Sequence, residues 1–184
     1  MLYKKKITGI TVELEIVSEE YASYILSLRL DNYISKFLNK VDNDVSKQTN
    51  WITEQKKREG DYYFLIKDLT GTPKGTISLY NIHGNSGEFG RWICTGSSLQ
   101  SLESVILLHD FGFKILKLNK IYSRTLEKNL KVLNFHKRFG AKLIENKTNV
   151  FKDDQKLIIY ETDNKSYEKI RSINFELIKR LTSQ

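Results

Sequence analysis

Hydrophobic and polar positions alternate through Ile10, Val12, Leu14 and Ile16, which predicts a half-buried strand over 9–17. Ser18-Glu19-Glu20-Tyr21 reads as a helix start, and Tyr24, Ile25 and Leu28 carry it at helical spacing to about residue 30. Residues 46–59 read as a short polar helix. Aromatic and β-branched content predicts strands over 62–67 and 75–80, joined at Thr70-Gly71-Thr72-Pro73 as a hairpin. A turn over His83-Gly84-Asn85-Ser86-Gly87 leads to a third strand, 88–93.

The period then lengthens. Leu99, Leu102, Val105, Ile106, Leu108, Phe111 and Ile115 fit one helix face, and Ser97 with Gln100 three residues later is a capping-box start. A strand over 121–126 follows, then a helix over 129–139 stopped by Gly140 in the usual position past a helix end. A strand over 156–161 precedes an amphipathic helix over 164–182 through Tyr167, Ile170, Ile173, Leu177 and Ile178. The strand-helix-strand passage 88–126 demands a parallel pair in a mixed sheet, with helices on both faces: an α/β chain in one domain over 1–184.

Composition narrows the partners. With 184 residues the chain holds one core. Hydrophobic residues make 40% and charged residues 28%, which excludes a disordered polymer. No run approaches a membrane span, and no apolar signal core follows the basic start at 1–6. The single Cys94 cannot form an internal disulfide, so a cytoplasmic home is expected. Thirty Lys and Arg against 22 Asp and Glu leave +8, which favours an anionic small-molecule partner. No aromatic-basic stacking motif points to nucleic acid. The three His residues have neither i,i+4 pairing nor a Cys cluster, so no metal site is expected.

The junction Trp92-Ile93-Cys94-Thr95-Gly96-Ser97-Ser98-Leu99-Gln100-Ser101-Leu102 is the first candidate site. A helix N-terminus presents free amides to an anion, although the same residues also read as an ordinary capped start. From Glu88 to Lys142 the chain resembles the GCN5-related N-acetyltransferases (GNATs), within them the ribosomal-protein and nucleotide-amino-sugar branch. The resemblance rests on Glu88-Phe-Gly-Arg-Trp-Ile93, on Phe111-Gly-Phe-Lys-Ile-Leu-Lys-Leu-Asn-Lys120 and on Asn129-Leu-Lys-Val-Leu-Asn-Phe-His-Lys-Arg-Phe-Gly-Ala-Lys142. Two positions depart from the family pattern: Thr95 to Ser101 holds one glycine where the phosphate loop usually has two small residues, and His136 replaces the usual Tyr.

The resemblance implies a twisted, mostly antiparallel sheet with a splayed parallel strand pair. It implies direct transfer from acetyl-CoA, as cosubstrate, to an amine. The pantetheine arm would lie along Trp92, Ile93 and Cys94. The pyrophosphate would sit on the amides of Gly96, Ser97, Ser98, Leu99, Gln100 and Ser101. Asn129 would bond the pantetheine or phosphate region, and Lys131 would either be among the cations facing the 3′-phosphate or belong to a solvated basic face. Glu88 is the candidate base, with an apolar wall of Phe89 and Trp92 to raise its pKa; a strand-end surface Glu is the alternative. His83 is the rival base or a solvated turn histidine, and His136 is either the acid that protonates the thiolate or a buried packing residue. Cys94 is either an acyl carrier or a small buried thiol, and His109 is structural.

Arg29, Asp31 and Asn32 resemble the early Trp-Arg-Asn helix of nucleotide-amino-sugar acetyltransferases. Arg29, Asn32 and Arg91 are therefore the candidate acceptor residues. The expected acceptor is a UDP- or dTDP-linked amino-deoxysugar, for surface polysaccharide. A ribosomal-type protein N-terminal acetyltransferase is the alternative enzyme. A non-catalytic nucleotide-binding module is the alternative of another class. A homodimer is the expected assembly.

Overall fold

The computed structural model describes residues 3, 5–144, 150–152 and 155–183; part of the basic start lies outside them. Two strands open the chain, β1 (Ile7–Thr8) and β2 (Val12–Ile16), followed by a single 3₁₀ turn at Glu19–Tyr21 and helices α1 (Ala22–Leu30) and α2 (Val45–Lys56). Strands β3 (Tyr62–Asp68), β4 (Pro73–His83) and β5 (Ser86–Cys94) form a meander. Helix α3 (Ser98–Asp110) runs into a π-helical turn at Phe111–Ile115. Strand β6 (Lys120–Leu126), helix α4 (Leu130–Phe139), strands β7 (Lys142–Leu143), β8 (Val150–Lys152) and β9 (Gln155–Asp163), and helix α5 (Asn164–Thr182) complete it.

The sheet runs β1-β2-β3-β4-β5-β6-β9-β7, with β8 also on β9. Every pairing is antiparallel except β5 with β6. The alternation at 9–17 therefore covers a turn at 9–11 and β2, the second half of a hairpin whose first strand is β1. The expected five-residue turn after β4 is shorter: His83 pairs with Ser86, and only Gly84 and Asn85 lie between.

Val12, Leu14, Phe64, Ile66, Ile77 and Leu79 pack against Val105, Ile106 and Leu108 of α3 and Phe111 of the π-helical turn. A smaller cluster on the other face joins Val17, Ala22 and Ile25 to Ile52, Tyr63 and Leu65. Helix α5 is locked on α3: Tyr167 Oη donates to Ile106 O and to Asp110 Oδ1, and Arg171 pairs with Asp110. Its second apolar stripe, Ile173, Leu177 and Leu181, faces outward.

One long-range bond set ties the first hairpin to α3. Glu103 is wholly buried and accepts from Ile10 N at 2.6 Å, Thr11 N at 2.5 Å, Thr11 Oγ1 at 2.6 Å and Val12 N at 3.1 Å. Gly9 makes room for it, because a Cβ there would lie 2.5 Å from the Glu103 carboxyl carbon. Among the described residues no helix is long and apolar enough to cross a membrane.

Candidate active site

Strands β5 and β6 are in parallel register from Ser86 opposite Lys120 to Phe89 opposite Ser123, and no pairing between them continues beyond. From Gly90 on, β5 bonds only β4, while β6, paired with β9 along its whole length, stays with β9. The cause is a bulge. Ser78 lies opposite Gly90 but Thr76 opposite Ile93, so β5 carries one extra residue, and Arg91 takes a left-handed φ of 48°. The bulge puts Phe89 and Trp92 on one face, with ring centroids 5.7 Å apart. A cavity of about 370 Å³ opens in the fork. Its walls include Phe89 to Trp92, Ser123 to Leu126, Asn129, Val132 and His136, with Lys36 to Asn39 from the segment between α1 and α2.

Of the expected site residues, the structure brings Arg91, Trp92, Asn129 and His136 to this cavity. Arg91 Nη1 and Nη2 donate to the two Asp61 carboxylate oxygens at 2.6 and 3.0 Å, and its guanidinium lies over Tyr80 at 4.2 Å and Trp51 at 5.2 Å. Asn129 caps α4, its Oδ1 accepting from Val132 N. Two buried polar atoms on cavity residues have no hydrogen-bond partner, Trp92 Nε1 and Ser123 Oγ.

The expectations for the acid and base need correction. Glu88 does not sit against an apolar wall: strand alternation turns it away from Phe89. Its Oε1 accepts from Tyr80 Oη at 2.9 Å and Arg124 Nε at 3.0 Å, and its Oε2 from Asn81 Nδ2 at 2.9 Å and Arg124 Nη2 at 2.6 Å. A carboxylate offers about four lone-pair sites, and all are used. Glu88 as folded anchors Arg124 and has no lone pair left for a substrate proton. Gly90 keeps this arrangement open, since a Cβ there would lie 2.7 Å from Tyr80 Oη. His83 is exposed at the hairpin end. Its partner Ser86 lies four residues, roughly 13 Å, before the fork opens at Gly90.

His136 reaches the cavity but is otherwise buried, stacked on Tyr160 and edge-on to Phe89. Burial, with His109 nearby, lowers its pKa to about 4. It is a neutral imidazole at neutral pH, so it does not supply an imidazolium proton.

The remaining expected residues lie off the cavity. His83 and Lys131 are exposed; Ile93 is buried and Cys94 partly so. Arg29 is half-buried and its Nη2 donates to Asn39 O at 2.8 Å, so it braces a cavity segment; Asn32 is exposed. Gly96 to Ser101 form the start of α3. Ser97 N donates to Gln100 Oε1 at 2.9 Å and Gln100 N to Ser97 Oγ at 3.2 Å. Helix geometry leaves the amides of Ser98 and Leu99 without an intrahelical acceptor.

Sequence reasoning missed Asp61, Tyr80, Ser123 and Arg124. The parallel register was the available signal for Arg124: Glu88 faces Tyr122, and Arg124 follows two residues along the same face. Among the described residues no group of three or more His, Cys, Asp or Glu could hold a metal.

A Glu88→Gln change turns an acceptor into an amide among four donors and removes the counter-charge of Arg124, whose side chain is 40% exposed against 4% for Glu88. The expected stability loss is about 1–3 kcal/mol, with slower turnover through a displaced Arg124 and an unchanged shape of the pH–rate profile. Calorimetry and rate measurements across pH check this. Loss of one limb of the profile would return Glu88 to the role of base.

A mixed sheet forked between two parallel strands, with a capped helix beginning just past the fork, makes a cleft for an extended ligand with an anionic end. The sequence profile described as an acetyltransferase (GNAT) domain matches residues 12–142. The chain belongs to that family and is an N-acetyltransferase, and the cosubstrate of the family is acetyl-CoA. No curated protein matches it in sequence. Among solved structures it is similar to apo FdhC, a nucleotide-linked sugar GNAT, at 29% identity and TM-score 0.79, over 94% of this chain and 99% of that one. It shares the fold of spermidine N-acetyltransferase from Vibrio cholerae in complex with CoA and spermine (16% identity, TM-score 0.76, 85% and 98% covered). It also shares that of ribosomal-protein-S5-alanine acetyltransferase from Vibrio fischeri (16%, 0.71, 89% and 98%).

Proposed function

We propose that the chain transfers the acetyl group of acetyl-CoA to the amine of a nucleotide-linked amino-deoxysugar. The observation that carries this reading is the lining of the cavity: Lys36, Arg91 and Arg124 reach it, the two arginines braced from behind by Asp61 and Glu88, and among the described residues no carboxylate lines it. The guanidinium N–H groups left over from those pairs suit a diphosphate-bearing acceptor, and the wall offers a polyamine no counter-charge. The likeness to a nucleotide-linked sugar GNAT over nearly the whole of both chains supports the same reading.

In this reading the thioester arm lies along β5 beyond Phe89, where the strand has no neighbour on the β6 side and its backbone groups face the fork. The pyrophosphate rests on the amides at Ser98 and Leu99, where the helix dipole favours negative charge. Lys36 and the nitrogens of Arg91 and Arg124 not committed to Asp61 and Glu88 hold the acceptor's diphosphate, and Lys36 to Asn39 shape the acceptor side.

The test is thiol release from acetyl-CoA by the purified chain, with a panel of UDP- and dTDP-linked 3- and 4-amino sugars, spermidine and an N-terminal peptide. Release with at least one nucleotide sugar and none with spermidine is expected. Release with the peptide alone would overturn the acceptor class in favour of the protein acetyltransferase.

A further inference from the structure

Ser123 sits where the fork closes, opposite Phe89 in the last parallel register position and opposite Tyr160 on β9. It is 4% exposed, its Oγ has no hydrogen-bond partner, and it lines the cavity. A buried hydroxyl without a partner lowers stability, because it has given up water and received nothing in return. Such a group at the closed end of a substrate cavity calls for a ligand. The acyl end of a linear thioester is its slim end, and the apex of a strand fork is where a slim end fits.

The other groups near the apex are less suited to carry a proton both ways. The Glu88 lone pairs are all occupied. The unpartnered Trp92 Nε1 only donates. His136 has a donor and an acceptor nitrogen, but its ring is fixed by packing on Phe89, Phe135 and Tyr160, and Thr125 lies two residues along β6 from the register position where the fork closes. A serine hydroxyl both donates one proton and accepts another.

We propose that Ser123 is a catalytic residue of the acetyl transfer, its hydroxyl relaying a proton from the attacking amine to the departing sulfur. The neutral amine nitrogen bonds to the thioester carbonyl carbon. The carbon–sulfur bond then breaks, and its electron pair goes to sulfur. The Oγ proton moves to that sulfur while Oγ takes the proton shed by nitrogen. Serine ends as it began, and the products are the N-acetyl amide and the CoA thiol. The step rests on the transferase activity and is independent of which amine is the acceptor.

The experiment uses the full chain, acetyl-CoA and whichever amine of the panel supports thiol release. Ser123→Ala is expected to lower kcat about 10²-fold, to leave KM for acetyl-CoA unchanged, and to abolish the solvent deuterium isotope effect on kcat. Its melting temperature should equal or exceed that of the unmodified chain, since an unpartnered hydroxyl is removed. Ser123→Cys, which keeps a transferable proton, should recover part of the rate. An Ala variant with kcat close to that of the unmodified chain would overturn the relay while the transferase stands. So would a slow variant that keeps the isotope effect, or a folded Cys variant no faster than Ala. Absence of thiol release from the unmodified chain with every amine would remove the transferase activity and the relay together.

Discussion

Lowering the pH from about 6.5 to 4 is expected to strip several kcal/mol from folding stability, a loss that belongs to two buried imidazoles. His109 lies inside α3, 3% exposed, among Phe89, Phe113, Phe139 and Tyr167, with Nδ1 2.8 Å from Val105 O. His136 packs nearby on Phe89 and Tyr160. Burial brings both pKa values down to about 4; for His109 the Val105 carbonyl and Asp110 pull weakly the other way. In the unfolded chain each titrates near 6.5. Between those values the unfolded state binds more protons, so stability is full above about 6.5 and falls as pH drops through 4. A difference of that size is about 3 kcal/mol per histidine, a large part of the roughly 5–15 kcal/mol of a typical domain. Asp68 and Asp163, held down to about 2, lose their contribution only below this window. Thermal melts across pH 4 to 7 check the slope. His136→Phe keeps the ring stack and should remove roughly half of it; a flat curve in the unmodified chain would refute the assignment.

Removing the Glu103 carboxylate should be the most damaging single change in the core. Glu103→Ala leaves the amides of Ile10, Thr11 and Val12 without an acceptor, each a penalty of about 1–3 kcal/mol. We expect a total loss of at least about 4 kcal/mol, read as a lower denaturation midpoint. Glu103→Gln retains one acceptor oxygen but turns an amide toward donors, and should fall between the two. The hairpin would also loosen from the first turn of α3, where Gln100 Nε2 reaches Thr11 O. Acetyl-CoA affinity should weaken along with stability in both variants. A midpoint unchanged in Glu103→Ala would mean that water serves those amides equally well.

The fold was legible wherever burial follows a local period. β2 shows its alternation because one face is on the core, and the capping box of α3 lies within four residues. The fork could be placed because a strand-helix-strand passage implies a parallel pair. Elements that depend on distant partners were hidden. β1 is two residues long and exists through pairing with β2. The turn after β4 looked longer because turn-forming residues run from His83 to Gly87, whereas His83 pairs with Ser86 after an irregularity past Tyr80, and Gly87 pairs with Ile121.

The site divides in the same way. Arg91, Trp92, Asn129 and His136 were placed by motif, and all line the cavity. Their chemical states were not readable. The neutrality of His136 comes from rings on β5, α4 and β9, and the saturation of Glu88 from Tyr80, Asn81 and Arg124. Ser123 gave no signal, since a lone serine in a strand is unremarked until its neighbours fail to bond it.

The reach of Glu103 also sets an order of events in folding. The donors it satisfies at residues 10–12 precede it by 91 to 93 positions in the chain. During synthesis the first hairpin therefore emerges long before its acceptor, and must wait unpaired for α3. Contacts of such separation form late, because a long loop must close first. The N-terminal edge of the sheet should be the last part to settle, and chains cut off before α3 are the ones that a cell would find hardest to keep soluble.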